Sequence, residues 1–323
     1  MLKEQASQLL QHGKPIDFGR YKNLITKPTT SFWDDDGFAL MKRRRTQRKT
    51  WIFYGVYTKD LYAGIAIVDA GIVATAFAYF YVPSENLFIE DKMTMPLGFK
   101  SGFDPAMTDE WKLGKYSIQT TNNVMSLNYN GKFKLAITAH LKDNGVSIVV
   151  PSQDDRPFNF TYKDLPIQNE VKIDYQGKTF QTNSASGAID FTKGYPPRST
   201  EWNWASAIGT TESGKSIAFN IVNKFNKNME NILWLDGERI ILSDASFDYG
   251  PNLKQDLWYI KTADQIIDLQ LQPKGARAEN INAAVMKSIF IQPFGEYNGI
   301  VNVNGIIEKF IAWGVAEEHS AVW

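Results

Sequence analysis

The chain has 323 residues, of which 43% are apolar, 22% charged and 13% aromatic, and 35 Lys and Arg balance 35 Asp and Glu. That length builds two domains of ordinary size or one large β domain around a real core, and zero net charge supplies no global field for nucleic acid or an anionic membrane. There is no cysteine, which excludes disulfides, thiolate nucleophiles and Cys-ligated zinc or iron–sulfur centres.

The 14 Tyr and 20 Phe favour strands, because flat and β-branched side chains suit a pleated surface. The opening MLKEQASQLLQHGK carries no apolar run after its charges, so it does not read as a secretory signal. A reducing, cytoplasmic location is the expectation. Residues up to Trp33 read as an extended, polar lead-in. The basic run KRRRTQRK, Lys42 to Lys49, is expected to be a solvated loop or strand end, with the acidic Asp34, Asp35 and Asp36 nearby. TWIFYGVYT is a strand and Lys59-Asp60 a two-residue turn.

The stretch LYAGIAIVDAGIVATAFAYFYV, Leu61 to Val82, is long enough to span a bilayer. Asp69 sits near its middle, however, where a charge in lipid costs about 3 kcal/mol. Asp69-Ala70-Gly71 makes a natural turn, so two buried strands are predicted and no integral membrane segment. From Pro83 to Gly114 scattered prolines read as a connecting excursion. Short strands resume at YSIQTTNNVMSLNYNGKFKLAITAHL, where Asn130-Gly131 is a strong hairpin signal. Asp154-Asp155 reads as a solvated turn.

GYPPRSTEWNW, from Gly194 to Trp204, breaks the rhythm with two prolines, and six of the nine tryptophans lie beyond residue 200. A domain boundary is placed there, giving units 1–193 and 194–323. The second unit continues in strand-length runs bounded by turn residues.

Within it, Gly209 to Ser216 read GTTESGKS, which matches the phosphate-loop pattern. Such a loop needs a helix after it, whose N-terminus cradles phosphate. The following SIAFNIVNKFNKN, rich in Asn and β-branched residues, is a poor helix. Ser213-Gly214 and Asp236-Gly237 are hairpin chemistry, so no nucleotide is expected.

The three histidines are His12, His140 and His319. His319, in AEEHSAVW, follows Glu317 and Glu318, and a carboxylate beside an imidazole can orient it for proton transfer. Glu318 and His319 are the candidate catalytic pair, although neighbours on a strand face opposite ways. A solvated terminal strand is the competing reading. A second constellation joins Arg198, Trp202 and Trp204 to Asn220, Glu230 and Trp234, with Trp323 closing the chain. Trp202 and Trp204 share one strand face; if that face lines a barrel, it makes an apolar cavity with a cation at its rim, and ordinary core packing explains it equally. No Gly-x-Ser-x-Gly elbow, dinucleotide fingerprint or His pair at metal spacing is present, so neither metal nor cofactor is expected.

As a set, WIFYGVYTKDLYAGIAIVD, GYPPRSTEWNWASA, FNIVN followed by ENILWLDG, IIDLQLQP, FIQPFGEYNG and the ending WGVAEEHSAVW resemble a bacterial domain-of-unknown-function family. That family ends in Gly-x-x-Glu-[Asp/Glu]-His-x-Ala-x-Trp, with Ser320 and Val322 filling variable positions here. It is distantly similar to paired lipocalin-like proteins, which include carotenoid hydratase and fungal decalin-forming Diels–Alderases. The resemblance implies an all-β fold of two antiparallel lipocalin-like barrel or sandwich units packed side by side, with a pocket for an apolar molecule. It transfers no catalytic residue.

The expected function is binding of a lipid-like, isoprenoid or polyene small molecule, with Trp202, Trp204 and Trp234 as walls and Arg198, Glu230 and His319 orienting it. The alternatives are a cofactor-free hydratase, isomerase or cyclase using Glu318 or His319, and an interaction protein whose barrels are filled by their own side chains.

Overall fold

The computed structural model describes residues 1–11, 14–30, 46–96, 105–153, 156–283 and 286–322. His12, Asp34 to Asp36, Lys42 to Arg45, Asp154, Asp155 and Trp323 lie outside them. The described chain is all β, as expected.

Four short strands make the lead-in: β1 (Leu2–Lys3), β2 (Leu10–Gln11), β3 (Lys14–Pro15) and β4 (Gly19–Lys22). Then come β5 (Lys49–Tyr57), β6 (Tyr62–Asp69), β7 (Val73–Val82) and β8 (Leu87–Pro96), followed by β9 (Trp111–Leu113), β10 (Tyr116–Thr121), β11 (Val124–Asn130) and β12 (Lys134–His140). β13 (Val146–Pro151), β14 (Phe158–Tyr175) and β15 (Lys178–Gly194) complete a 13-stranded sheet whose main path runs β8-β7-β6-β5-β15-β14-β12-β11-β10-β9, with β13, β4 and β1 branching from β14. Strand β14 holds the two meanders together, pairing β13 along Phe158–Lys163 and β12 along Gln168–Asp174.

Two local expectations are corrected here. The region after Pro83 is not wholly a connection: Leu87–Pro96 is a strand. It sits at the sheet edge, where a terminal proline costs no ladder hydrogen bond. The described end of the basic run is not solvated. Arg48 is fully buried, with Asp69 at 3.8 Å and Thr30 Oγ1 at 2.9 Å, and Lys49 donates to the carbonyl of Ala70 at 2.7 Å. Burying a charge costs heavily unless it is paired, and Asp69, at the end of β6, supplies the partner. The apolar run Leu61 to Val82 is the predicted pair of strands, turning at Gly71 with φ +87°. No helix among the described residues is long and apolar enough to cross a membrane.

The second sheet has nine strands: β16 (Ser199–Thr211), β17 (Ser216–Asn223), β18 (Ile232–Leu235), β19 (Glu238–Ile241), β20 (Ala245–Tyr249), β21 (Trp258–Thr262), β22 (Ile267–Ala283), β23 (Met286–Val303) and β24 (Ile306–Val322). Their order is β19-β18-β17-β16-β24-β23-β22-β21-β20. The chain divides into two compact units. The first is 1–56, 63–80 and 89–197; the second is 57–62, 81–88 and 198–323.

In the second unit the sheet curls on itself. Small residues at the β16–β24 seam permit the bend: a Cβ on Gly314 would meet the carbonyl of Ser206 at 2.1 Å. The concave face carries the core, built from alternate positions such as Ala205, Ala207, Phe219, Trp258, Tyr297 and Phe310. Curling brings the edge strand β20 against β16 and β24, where Asn203 Nδ2 donates to the Tyr249 hydroxyl at 3.0 Å and Tyr249 donates to Glu318.

The GTTESGKS octet runs from β16 through a turn into β17, with Gly214 at φ +88°. No helix follows Ser216, and the Lys215 ammonium pairs with Glu308, whose carboxyl it holds down at about 2 together with Ser213 and Thr211. Asp236 and Gly237 form the predicted tight turn, both at positive φ.

Phe219 packs edge-on to Tyr297 at 5.3 Å in the core of the second unit. Phe219→Ala is expected to cost about 3–5 kcal/mol, read as a lower urea midpoint. Tyr259→Ala, at a half-exposed ring, should stay within about 0.5 kcal/mol.

Candidate functional site

Strand β24 lies between β16 and β23, and side chains alternate between the two faces of a strand. Phe310, Ala312 and Ala316 face the core, so Glu318 points the same way, while Glu317 and His319 point to the convex face. By the same count Trp202, Trp204, Ser288, Phe290 and Gln292 lie on the convex face with them. The register sets Trp202 and Phe290 on either side of His319, and Trp204 opposite Glu317.

On the convex face Glu317 is the hub. Its Oε1 accepts from Trp202 Nε1 at 3.0 Å and faces His319 Nδ1 at 3.2 Å; its Oε2 accepts from Gln292 Nε2 at 2.7 Å. Burial opposes ionisation of this carboxyl, but the His319 hydrogen bond and charge, the nearby Arg277 and the Trp202 N–H outweigh it, leaving the pKa below its ordinary 4.5. Trp202 packs against the His319 ring with centroids 4.1 Å apart and the planes tilted by 39°. Phe290 lies on its other side at 5.2 Å, beneath the Arg277 guanidinium at 4.8 Å. His319 Nε2 meets Ser288 Oγ at 3.1 Å.

On the concave face, at the end of the curled sheet, is a cavity of about 230 Å³. Leu253, Ile289 and Ile291 form its apolar wall, while Asn203, Tyr249 and Glu318 form its polar wall. Lys224, exposed and at φ +69°, stands at its edge. Alternation means that Trp202, Phe290 and His319, which also border it, do so through their backbone. Burial, the hydrogen bond to Glu318 and its charge raise the Tyr249 hydroxyl to about 12, so at neutral pH it is a protonated donor to Glu318. A second, shallower groove of about 650 Å³ runs past Ile300, Ile311 and Trp313 on the same unit. Its polar lining is Thr210, Thr211, Glu212, Asn298 and Lys309.

The predicted residues therefore fall into separate places. His319 and Trp202 meet on the convex face, whereas Glu318 serves the cavity. Trp204 donates to Asn220 Oδ1 at 2.8 Å, and Asn220 Nδ2 donates to the Glu230 carbonyl at 2.9 Å. Those three form a buried chain that pins β16 to β17 and the loop after it. Trp234 is buried on β18, paired with Ala218. Arg198 is exposed just before β16 and does not line the cavity. Trp202, Trp204 and Trp234 face away from the barrel core, which other side chains of the unit, Trp258 among them, occupy. No group of three or more His, Asp or Glu among the described residues could hold a metal.

Sequence reasoning missed Ser288, Gln292, Arg277, Tyr249 and Leu253. Glu317-x-His319, the same-face spacing on a strand, was a usable signal for the hub. Nothing local marks Ser288 or Tyr249, because each reaches its partner through long-range pairing.

The Glu317 shift fixes a pH dependence. A carboxyl with a depressed folded pKa stabilises the fold above its unfolded value, and that contribution is lost as pH falls through the folded value. Glu317→Gln is accordingly expected to have a flatter acid limb. The gap in urea midpoint between wild type and variant should be widest near neutral pH and narrow below about 4.5; an unchanged gap would contradict the assignment.

Two solved structures share this architecture over nearly their whole length. A protein assigned as AttH (NE1406) from Nitrosomonas europaea is 12% identical, with a TM-score of 0.56 over 92% of this chain and 98% of the other. Kievitone hydratase from Nectria haematococca is 13% identical, with a TM-score of 0.57 over 92% and 97%. At this identity the likeness shows the fold. No curated protein matches the sequence. The family profile for DUF2804, a domain of unknown function, matches residues 1–323, and the chain belongs to that family.

Proposed function

We propose that the second unit binds one end of an apolar small molecule in the cavity at the end of its curled sheet, and that Glu318 and Tyr249 move a proton there in a cofactor-free hydration or isomerisation. The observation that carries this is a carboxylate and a phenol hydrogen-bonded to each other in the wall of a cavity that Leu253, Ile289 and Ile291 also line. Hydration of an alkene needs a proton delivered to one carbon and a base for the attacking water. A carboxyl group with a phenolic partner can exchange that proton in both directions.

The cavity is smaller than the ~300–1,000 Å³ that encloses a whole drug-sized ligand. It suits the branched or cyclic end of a longer molecule, an isoprenoid tail for instance, with the remainder outside. Lys224 at the edge would meet a polar substituent. The fold shared with kievitone hydratase is compatible with this class and assigns no residue.

The test is native mass spectrometry with a panel of isoprenoid alcohols and prenylated phenols, followed by product analysis. Leu253→Trp, which fills the cavity, should weaken binding by about tenfold or more, as expected when ~1.4 kcal/mol is lost. Ile311→Ser in the shallow groove should leave binding unchanged. Glu318→Gln should keep binding and slow turnover by about 10²–10⁴. Binding that survives Leu253→Trp and falls in Ile311→Ser would place the ligand in the groove and overturn this reading.

A further inference from the structure

We propose that Ser288 is a nucleophilic serine activated by His319 and Glu317, giving the chain a second, acyl-transfer activity toward carboxylic esters on the convex face of the same sheet. This activity uses none of the side chains that wall the cavity.

The argument starts at Glu317. Its pKa is lowered, so at neutral pH it is a carboxylate and can only accept. Its 3.2 Å contact with His319 Nδ1 therefore places a hydrogen on Nδ1. In the neutral ring Nε2 is then a bare acceptor, and the Ser288 hydroxyl 3.1 Å away is the donor. That is the order a triad requires: an acid that holds the tautomer, a base, and a hydroxyl whose proton the base can take.

Simple hydrogen-bond satisfaction does not demand this order. Glu317 already accepts from Trp202 and Gln292, and Ser288 is only half-buried, so water could serve it. The imidazole is also held between two tilted rings, Trp202 at 4.1 Å and Phe290 at 5.2 Å. Phe290 and the Arg277 guanidinium over it are themselves buried, so they hold the imidazole, and the substrate class follows from the triad alone: a carboxylic ester.

In the first step Ser288 Oγ bonds to the acyl carbon and its proton passes to His319 Nε2. The ester C–O bond breaks, and the leaving alcohol takes that proton. Water then attacks the acyl-serine, passing a proton through His319 to Oγ and releasing the acid.

The test is labelling of the full-length chain with an alkyl fluorophosphonate, read by intact mass and peptide mapping. Phosphonylation forms the Oγ–P bond and expels fluoride. The expected result is one adduct per chain, at Ser288, absent in Ser288→Ala. His319→Gln and Glu317→Gln should label at least about 100-fold more slowly, with circular dichroism confirming the β fold of each variant. A folded wild-type chain that stays unlabelled, an adduct at another residue, or equal labelling of His319→Gln overturns the proposal. Loss of cavity binding in Leu253→Trp with labelling intact would separate this activity from the cavity reading, whereas loss of labelling in that folded variant would overturn the proposal's independence from the cavity.

Discussion

The second unit depends on a single constraint, the period-two alternation of β24 while it is paired on both sides. Held between β16 and β23 over nearly its full length, the strand cannot slip by one residue without moving Phe310, Ala312 and Ala316 out of the core. The same register sends Glu318 to the cavity and Glu317 with His319 to the convex face. Two adjacent acids in the sequence thereby acquire different surroundings: Glu318 a phenol and an apolar wall, Glu317 an imidazole, an indole and an amide.

Glu317 shows why those neighbours are there. An ionised carboxylate taken out of water is costly unless its lone pairs are met. Trp202, Gln292 and His319 meet them from three different strands, β16, β23 and β24. The carboxylate thus ties three strands at one point and, in meeting its own requirement, sets the hydrogen on one nitrogen of His319. Structural and chemical roles coincide in that group. The cavity follows a similar logic, because the Tyr249 hydroxyl that fastens the edge strand β20 to β24 is also the group beside Glu318.

Much of the fold was legible because it is local. Turn chemistry at Lys59-Asp60 and Asp236-Gly237, the break at Asp69-Gly71, and the missing helix after GTTESGKS were all read from a few neighbouring residues. The charged run ending in Arg48 and Lys49 was misread for the complementary reason. Charge predicts solvent only when no carboxylate waits elsewhere, and Asp69 becomes a neighbour only once β5 and β6 pair. The site was partly legible. His319 beside acids, and Trp202 on the same face as Trp204, were visible; that this face is the convex one depends on which residues fill the curled sheet. Ser288 and Tyr249 carry no local signature, since pairing between β23 and β24 and closure of β20 create their positions.

The most direct test of this arrangement is the tautomer of His319. With three histidines in the chain, imidazole nitrogen NMR on a selectively labelled sample resolves each ring, and Glu317→Gln assigns the one that changes. The structure predicts that neutral His319 carries its hydrogen on Nδ1, with Nε2 free to accept from Ser288. A hydrogen on Nε2 instead would mean that Glu317 does not orient the ring, and would contradict the account.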